Sequence, residues 1–349
     1  MQATTALPSK NNLLHHFLWL RAALAAAGAE AILDVDSFDV LVRRGPRQWA
    51  LYPKFLAGAP GAQRYAAAPA PDVVTFAGWL PYRHKHWPLA ADKLAFKRYA
   101  RETLLPVPEY ATDPDADLRD VIVKRANASF GAAIAGPFRS AAEHRLDPAH
   151  GEFFERFIEG KILKIWYWEG RPLCLEMDAM PSVRGDGGSS IGELILRRAS
   201  LHQALRPEQR RALLDGCAAL LRYHGTGIDD VLPRDRRQTV EFRYGSTLLH
   251  PRARTLVDLR GGPAGEGAAQ GTGPAALAAP LLELLGTAGL RLREAIPAGT
   301  RRHTLFTVDA VLDANGRAWL LEMNSNPAVH PLAYPAIAAS VLDDPDPAS

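Results

Sequence analysis

Three side chains towards the end of the sequence could together hold a hard cation. The stretch VDAVLDANGRAWLLEMNSNPAVH, residues 308–330, reads as a β-hairpin. DANG at 313–316 is a turn signal, and AWLL at 318–321 is a buried-strand run. On a strand, residues i and i+2 share a face, so Glu322 and Asn324 project together while Met323 turns into the packing. Asp309 lies on the preceding strand and can meet them. Two carboxylates and an amide oxygen on a sheet surface suit Mg2+, which takes one or two carboxylates and completes its octahedron with water and phosphate oxygens. They do not suit zinc, which favours Cys and His. The alternative is a solvated cross-strand pair of Asp309 and Glu322, although like charges placed opposite one another are unfavourable.

Magnesium held in this way implies a phosphate-rich ligand, and phosphates need cations. Lys124 ends the apolar strand DVIVK, residues 120–124, just before the small-residue loop NASFGAAIAG at 127–136. A lysine there can reach a phosphate while loop N–H groups contact its oxygens. Lys93 follows Asp92, a good helix N-cap. A single lysine is ordinarily a surface residue, so neither one carries the assignment alone.

Several elements must position these groups. Leu13, Leu14, Phe17, Leu20 and Leu24 recur at helical spacing, which predicts a core-facing amphipathic helix. His15 and His16 on it are expected at its surface. Short strands are expected at 31–35 and 72–76, and a helix at 91–101. EFFERFI at 152–158 reads as a strand. Residues 162–168 and 173–177 read as a hairpin, and 191–198 and 207–223 as helices. The glycine-rich runs GDGGSS, 185–190, and GGPAGEGAAQGTG, 261–273, are either plain linkers or lids over a site.

The bulk figures fit that picture. A chain of 349 residues is too long for one core and predicts two or three packed units. With 47% hydrophobic and 23% charged residues, it has a globular composition. A formal net charge of +3 gives no support for a nucleic-acid binder. Cys174 and Cys217 are expected to be reduced core residues. The polar opening MQATTALPSKNN lacks the apolar run of a signal peptide, and no segment supplies the roughly 20 apolar residues of a membrane helix. A cytoplasmic protein without a membrane partner is expected.

Taken together, the ordered segments resemble the ATP-grasp carboxylate–amine ligases, over roughly residues 90–331. Asp92 and Lys93, followed by Pro106 and Pro108, look like the first phosphate lysine and the proline-marked strand after it. VIVK at 121–124 looks like the second phosphate lysine. FERFIEG at 154–160 resembles the hinge, where Glu155 would accept from the adenine amino group and the backbone of Arg156, Phe157 and Ile158 would bond the adenine edge. Asp309, Glu322 and Asn324 match the magnesium triad, and Asn326 and Pro327 continue its motif. GDGGSSIGELI at 185–195 is most similar to the cyanophycin synthetase and bifunctional glutathione synthetase branch. Some positions depart from the pattern. Ile162 stands where an acidic ribose contact is common, and Lys164 where that branch has arginine. Thr307 stands where some relatives carry an arginine that steadies an acyl phosphate, a role open to Arg243, Arg301 or Arg302.

The resemblance implies an α+β ATP-grasp fold, with two subdomains clamping ATP behind a small N-terminal α/β domain. The boundaries expected are 1–90, 91–155 and 156–349, the last carrying the metal site. It implies ATP and two Mg2+ ions, with Mn2+ as a substitute, and a homodimer or homotetramer. Lys93, Lys124 and Arg243 would be catalytic. Lys93, Lys124, Ser129, Gly131, Glu155, Arg156, Phe157, Ile158 and Lys164 would bind the nucleotide, and Asp309, Glu322 and Asn324 the metal. The activity implied is ATP-dependent amide formation between a small carboxylate and an amine, such as amino acids or a short peptide, through an acyl phosphate. Deleting residues 261–273 would then raise ATP hydrolysis relative to ligation. The alternatives are an ATP-grasp kinase acting on a hydroxyl and a catalytically silent ATP-binding module. YRHKHW at 82–87 is a candidate for part of the substrate pocket, and a weaker one for a metal site.

Overall fold

The computed structural model describes residues 13–58, 64–127, 134–200, 205–243, 248, 255–260 and 277–344. Ser129, Gly131 and the 261–273 run lie outside these residues.

The first part is α1 (Leu13–Ala26) followed by β1 (Glu30–Leu33), β2 (Val40–Arg44), β3 (Arg47–Ala57), β4 (Arg64–Ala66) and β5 (Val73–Leu80). The strands form one antiparallel sheet in which β3 pairs with β2, β4 and β5. The apolar spacing of α1 is used largely as expected: Leu20 and Leu24 are fully buried, although Leu14 is 60% exposed. His16 corrects the sequence reading. It lies on the stripe of Leu20 and Leu24, is fully buried, and its Nδ1 is 2.7 Å from the Tyr334 hydroxyl. The helix needs an inward residue at that level, and a polar partner across the interface makes histidine tolerable there.

The middle part is α2 (Pro88–Ala91), α3 (Lys93–Glu102), β6 (Tyr110–Ala111), β7 (Arg119–Arg125), β8 (Ala135–Ser140) and β9 (Glu152–Arg156). Its strands form a sheet in the order β6-β9-β7-β8. The helix expected at 91–101 begins a turn earlier and breaks at Asp92. There the backbone is extended, and Oδ1 accepts from the N–H groups of Leu94 (2.7 Å) and Ala95 (3.2 Å). This cap fixes where Lys93 begins the second helix.

The last part is β10 (Gly160–Trp168), β11 (Arg171–Ala179), β12 (Ser182–Arg184), α4 (Ile191–Ser200), α5 (Pro207–Tyr223), β13 (Arg237–Thr239), β14 (Thr255–Asp258), α6 (Ala279–Glu294), α7 (Ala298–Arg301), β15 (Leu305–Asp313), β16 (Ala318–Asn324) and α8 (Tyr334–Leu342). Five of its strands form an antiparallel sheet in the order β14-β11-β10-β15-β16. With helices and antiparallel sheets throughout, the chain is α+β.

Strand alternation gives that sheet two different faces. Leu163, Ile165, Tyr167, Phe306, Val308, Leu320 and Met323 pack with Phe96 and Ala100 of α3 and Leu285 and Leu292 of α6. Helix α3 therefore shares the core of the large sheet. On the other face, Trp166, Trp168 and Leu305 join Leu20, Phe55, Trp79 and Tyr334 in the core of the N-terminal sheet. Lys164, Thr307 and Asp309 fall on this second face, so the N-terminal sheet overhangs them.

Two local devices set the ends of the β15–β16 hairpin. At its tip, Asp313 Oδ1 accepts from Asn315 N and Arg317 N, each at 2.9 Å, and Gly316 takes a φ of 77°. Beyond β16, Val329 N donates to Ala77 O at 2.7 Å, and Gly78 has a φ of 105°. Any Cβ on Gly78 would lie 2.5 Å from Val329 Cβ. Glycine is required there to let the segment after Asn324 lie against β5. Among the described residues, no helix is long and apolar enough to cross a membrane.

Candidate functional site

A polar row runs across four strands of the large sheet. Glu176 on β11 pairs in register with Lys164 on β10, Lys164 with Asp309 on β15, and Asp309 with Glu322 on β16. The last pairing depends on a bulge. Ala310 pairs with Leu320, yet Asp309 pairs with Glu322, so Leu321 is an extra residue. The bulge resets the alternation: Ala318 and Leu320 point into the core, and so does Met323. Glu322 and Asn324 thereby join the face of Asp309.

Asp309 and Glu322 each carry a lysine. Lys164 Nζ is 2.7 Å from Asp309 Oδ1, and Lys93 Nζ is 3.0 Å from Glu322 Oε2. Asn324 Nδ2 donates to Asp309 Oδ2 at 3.2 Å. Burial pushes the Asp309 carboxyl upward and the Glu322 charge adds to the effect, with Lys164 opposing it. For Glu322 burial acts in the same upward direction, but Lys93 and Lys124 outweigh it and hold the carboxyl below its ordinary value. Leu89, Ala90, Ala91, Lys93, Glu322 and Asn324 line a small cleft on the Glu322 side of the site.

The donor set fits magnesium. It offers two carboxylates and one amide, and turning the Asn324 amide over would present its oxygen in place of its nitrogen. Among the described residues, no group of three or more His, Cys, Asp or Glu is placed to hold a metal.

A second charged group sits beside the first. Lys124 Nζ is 2.6 Å from Glu155 Oε1, and Lys97 Nζ contacts Glu155 Oε2. All three side chains are buried. Burial would raise the Glu155 carboxyl, but Lys124 and Lys97 together hold it below its usual range. Lys97 is pulled down by burial, with Glu155 opposing. One turn apart on α3, Lys93 and Lys97 thus reach Glu322 and Glu155 respectively. The sequence reading passed over Lys97. Its only signal is the spacing of four from Lys93, next to Phe96 on the buried side of the helix.

The other expected site residues are placed as follows. Arg156 is exposed, and its N–H donates to Glu109 O at 2.8 Å. Phe157 N–H donates to Asp120 O at 2.6 Å, and the buried ring meets Tyr223 and Phe242 edge-on. Ile158 follows, half-buried. Glu155 has both oxygens on lysines rather than open for an amino group. Arg243 is committed elsewhere: its Nε and NH2 lie 2.9 and 2.8 Å from the Glu241 carboxylate, and NH2 also donates to Gly216 O at 3.1 Å. Arg301 donates to the carbonyls of Glu294 and Ile296, and Arg302 lies 3.0 Å from Asp344. In the 185–190 loop, Asp186 accepts from Gly188 N, Ser189 N and Ser189 Oγ and pairs with Arg197, which braces the loop.

The N-terminal sheet adds groups that sequence reasoning missed. Lys54 on β3 is buried and donates to Asn326 Oδ1 at 3.2 Å. The Tyr65 and Tyr82 rings lie 5.2 and 5.7 Å from its Nζ. Asn326 also donates from Nδ2 to Lys85 O, tying the 82–87 segment to the end of β16. The rings of His84 and His86 stack at 6.4 Å.

No family model matches the chain, and no curated protein matches its sequence. Among solved structures, it is similar to a bifunctional glutathione synthetase from Pasteurella multocida, at 13% identity and a TM-score of 0.38, over 92% of this chain and 41% of that one. It is similar to a D-alanine–D-alanine ligase from Bacillus anthracis at 11% identity and a TM-score of 0.35, over 72% and 63%. A third is the ATP-grasp ligase PsnB, at 11% identity and a TM-score of 0.33, over 72% and 59%. The chain spans about two fifths of the first and about three fifths of the other two. Likeness this slight carries neither activity nor substrate over to the chain.

Proposed function

We propose that the chain is an ATP-dependent carboxylate–amine ligase of the ATP-grasp type that works through an acyl phosphate. The observation that carries this reading is the paired carboxylates Asp309 and Glu322, each neutralised by a lysine, Lys164 at 2.7 Å and Lys93 at 3.0 Å. A structural ion pair needs neither the bulge that brings Glu322 round nor the amide of Asn324 beside it. A site that exchanges lysines for magnesium and phosphate needs both. On this reading Asp309, Glu322 and Asn324 would hold Mg2+, which when bound neutralises phosphate charge. Lys93, Lys164 and Lys124 are then released to phosphate oxygens.

The chemistry follows from charge. A carboxylate oxygen attacks the γ-phosphorus, the bond to the bridging oxygen breaks, and ADP leaves. An amine then adds to the acyl carbon, phosphate departs with its electron pair, and the amine gives up a proton. The first step drives an anion onto a polyanion, so fixed cations lower its barrier. The acyl phosphate must be kept from water, and the overhang of the N-terminal sheet over the polar row serves that end. In this proposal Glu155 aligns Lys124 and Lys97, the backbone at Phe157 and Ile158 meets the adenine edge, and loop N–H groups at Ser129 and Gly131 contact phosphate oxygens.

The test is release of ADP and phosphate from Mg-ATP with pooled amino acids and dipeptides, with Glu322→Ala alongside. Equal amounts of both products, dependent on a particular pool and lost in the variant, are expected. ADP without free phosphate would instead make it a kinase. Nucleotide binding without turnover on any pool would favour a silent module.

A further inference from the structure

The cations of the site divide into two kinds. Lys93, Lys164, Lys97 and Lys124 each sit on a carboxylate, as does Arg243. Lys54 does not. Its Nζ reaches the neutral Asn326 amide, and among the described residues no Asp or Glu oxygen lies within 4.0 Å of it. It is nonetheless only 3% exposed. A buried ammonium without a counter-charge is costly to maintain, and the two tyrosine rings stabilise a cation without neutralising it.

Its placement is specific. The β3–β5 register shifts between Lys54 and Phe55, a bulge of the kind that re-aims a side chain. The bulge sets Lys54 over the end of β16, two residues beyond Asn324. The Asp309 charge is felt at Tyr65, one of the two rings beside Lys54, which puts this corner within the field of the polar row. At the same end of the hairpin, Thr307 pairs in register with Asn324, and its hydroxyl is buried with no hydrogen-bond partner among the described residues. A donor without an acceptor and a cation without an anion therefore flank the same end of β15 and β16. Burial alone brings the Lys54 ammonium down to about 7, the behaviour of a charge with no anion beside it.

We propose that Lys54 is the anchor for a carboxylate of the acid substrate, seated between its ammonium, the Asn326 side chain and the Tyr65 and Tyr82 rings. The assignment of that anion as the acid substrate rests on the ligase reading. The existence of a carboxylate site at Lys54 does not. It makes the N-terminal sheet a direct contributor to substrate selection. It also gives the acyl group a cation that no carboxylate among the described residues claims.

The test is a thermal-shift titration of the full chain as wild type, Lys54→Met and Lys54→Arg. The probe carboxylates are acetate, L-alanine, L-glutamate and L-alanyl-L-glutamate, each with and without Mg-ADP. Lys54→Met exchanges a buried charge for an apolar chain of similar length, so the fold survives, and Lys54→Arg keeps the charge. At least one probe should stabilise the wild type, with affinity weakened about tenfold or more in Lys54→Met and less in Lys54→Arg, since a charge-assisted hydrogen bond is lost only in the former. Mg-ADP affinity should stay within about twofold in all three, as expected of separate contacts. If Lys54→Met binds the probes as the wild type does, or the wild type binds none, the site is overturned. If the wild type binds a probe but not Mg-ADP, the ligase reading fails while the carboxylate site stands.

Discussion

Lys124 and Lys97 grip the two oxygens of one buried carboxylate: Lys124 Nζ lies 2.6 Å from Glu155 Oε1, and Lys97 Nζ sits on Oε2. The strand carrying Lys124 and the helix carrying Lys93 and Lys97 are therefore joined by charge as well as by packing. Glu155→Gln would leave two buried ammonium groups without a counter-charge, a loss of about 3–5 kcal/mol. Lys97→Met leaves a neutral Lys124–Glu155 pair in an apolar setting and should fall within about 1 kcal/mol of the wild type, because exchanging buried ions for apolar groups is often neutral. Urea unfolding of the two variants measures the order. A larger loss for Lys97→Met would mean that Glu155 needs both lysines to remain ionised.

Asp309 and Glu322 should respond differently to loss of charge. Burial and its neighbour Glu322 already push the Asp309 carboxyl towards the neutral form. Asp309→Asn should therefore lower the ligand-free melting midpoint less than Glu322→Gln does, the loss that remains being the Lys164 ammonium left beside a neutral amide. Lys93 and Lys124 hold Glu322 ionised against its burial, so Glu322→Gln strands a cation and should cost about 1–3 kcal/mol. Both variants should lose the stabilisation that Mg-ADP gives the wild type, about 2.7 kcal/mol at a hundredfold excess over Kd. Melting curves with and without Mg-ADP separate the two effects. Persistence of the Mg-ADP shift in Asp309→Asn would remove that residue from the metal site.

Much of this site was legible from residue type and spacing, and the rest was not for identifiable reasons. The Asp309, Glu322 and Asn324 grouping follows from a hairpin and a period of two. The bulge at Leu321 was not legible, since Trp319 and Leu321 are as apolar as Ala318 and Leu320 and the run shows no alternation to break. The Asp92 cap placed Lys93 correctly. Partners distant in sequence could not be read: Glu155 with Lys97, His16 with Tyr334, and Lys54 with Asn326 are separated by 58, 318 and 272 positions. A lone lysine in a strand such as PKFLA carries no mark of burial, because only the tertiary fold decides whether its end meets water. The α3 helix was assigned by chain order to the central segment, whereas its apolar face at Phe96 and Ala100 fits the large sheet.

Gly78 tests how the N-terminal sheet is held over the row. In Gly78→Ala the new methyl would approach Val329 Cβ to 2.5 Å at a backbone φ of 105°. Overpacking of this kind costs about 1–3 kcal/mol, with left-handed strain added. The displaced segment contains Asn326, so carboxylate binding at Lys54 should weaken along with stability. Urea unfolding and the same probe titration check the pair of effects. Lost stability with unchanged probe binding would show that Asn326 is positioned without Val329.

The Lys54 ammonium also gives stability a pH dependence of known sign. Its folded value of about 7 lies below the ordinary lysine value, about 10.4 in an unfolded chain. Below about 7 both states carry the proton and the full cost of burial stands. Between the two values only the unfolded chain holds it, so stability rises with pH across that window, by up to about 1.4 kcal/mol per unit. One neighbour titrates in the same window: Lys85, which shares the Tyr82 ring, is brought down to about 8 by burial, but it is present in both proteins and cancels in their difference; the others do not. His84 is held below its usual value by burial and by the Lys54 charge, Tyr65 is pushed up to about 12, and Tyr82 is pushed up by burial. Lys54→Met should therefore be more stable than the wild type near pH 6, with the margin shrinking towards pH 9. Urea unfolding of both proteins across that range measures it. Parallel profiles would mean that Lys54 already faces a counter-charge, and would remove the physical basis for an anion seated there.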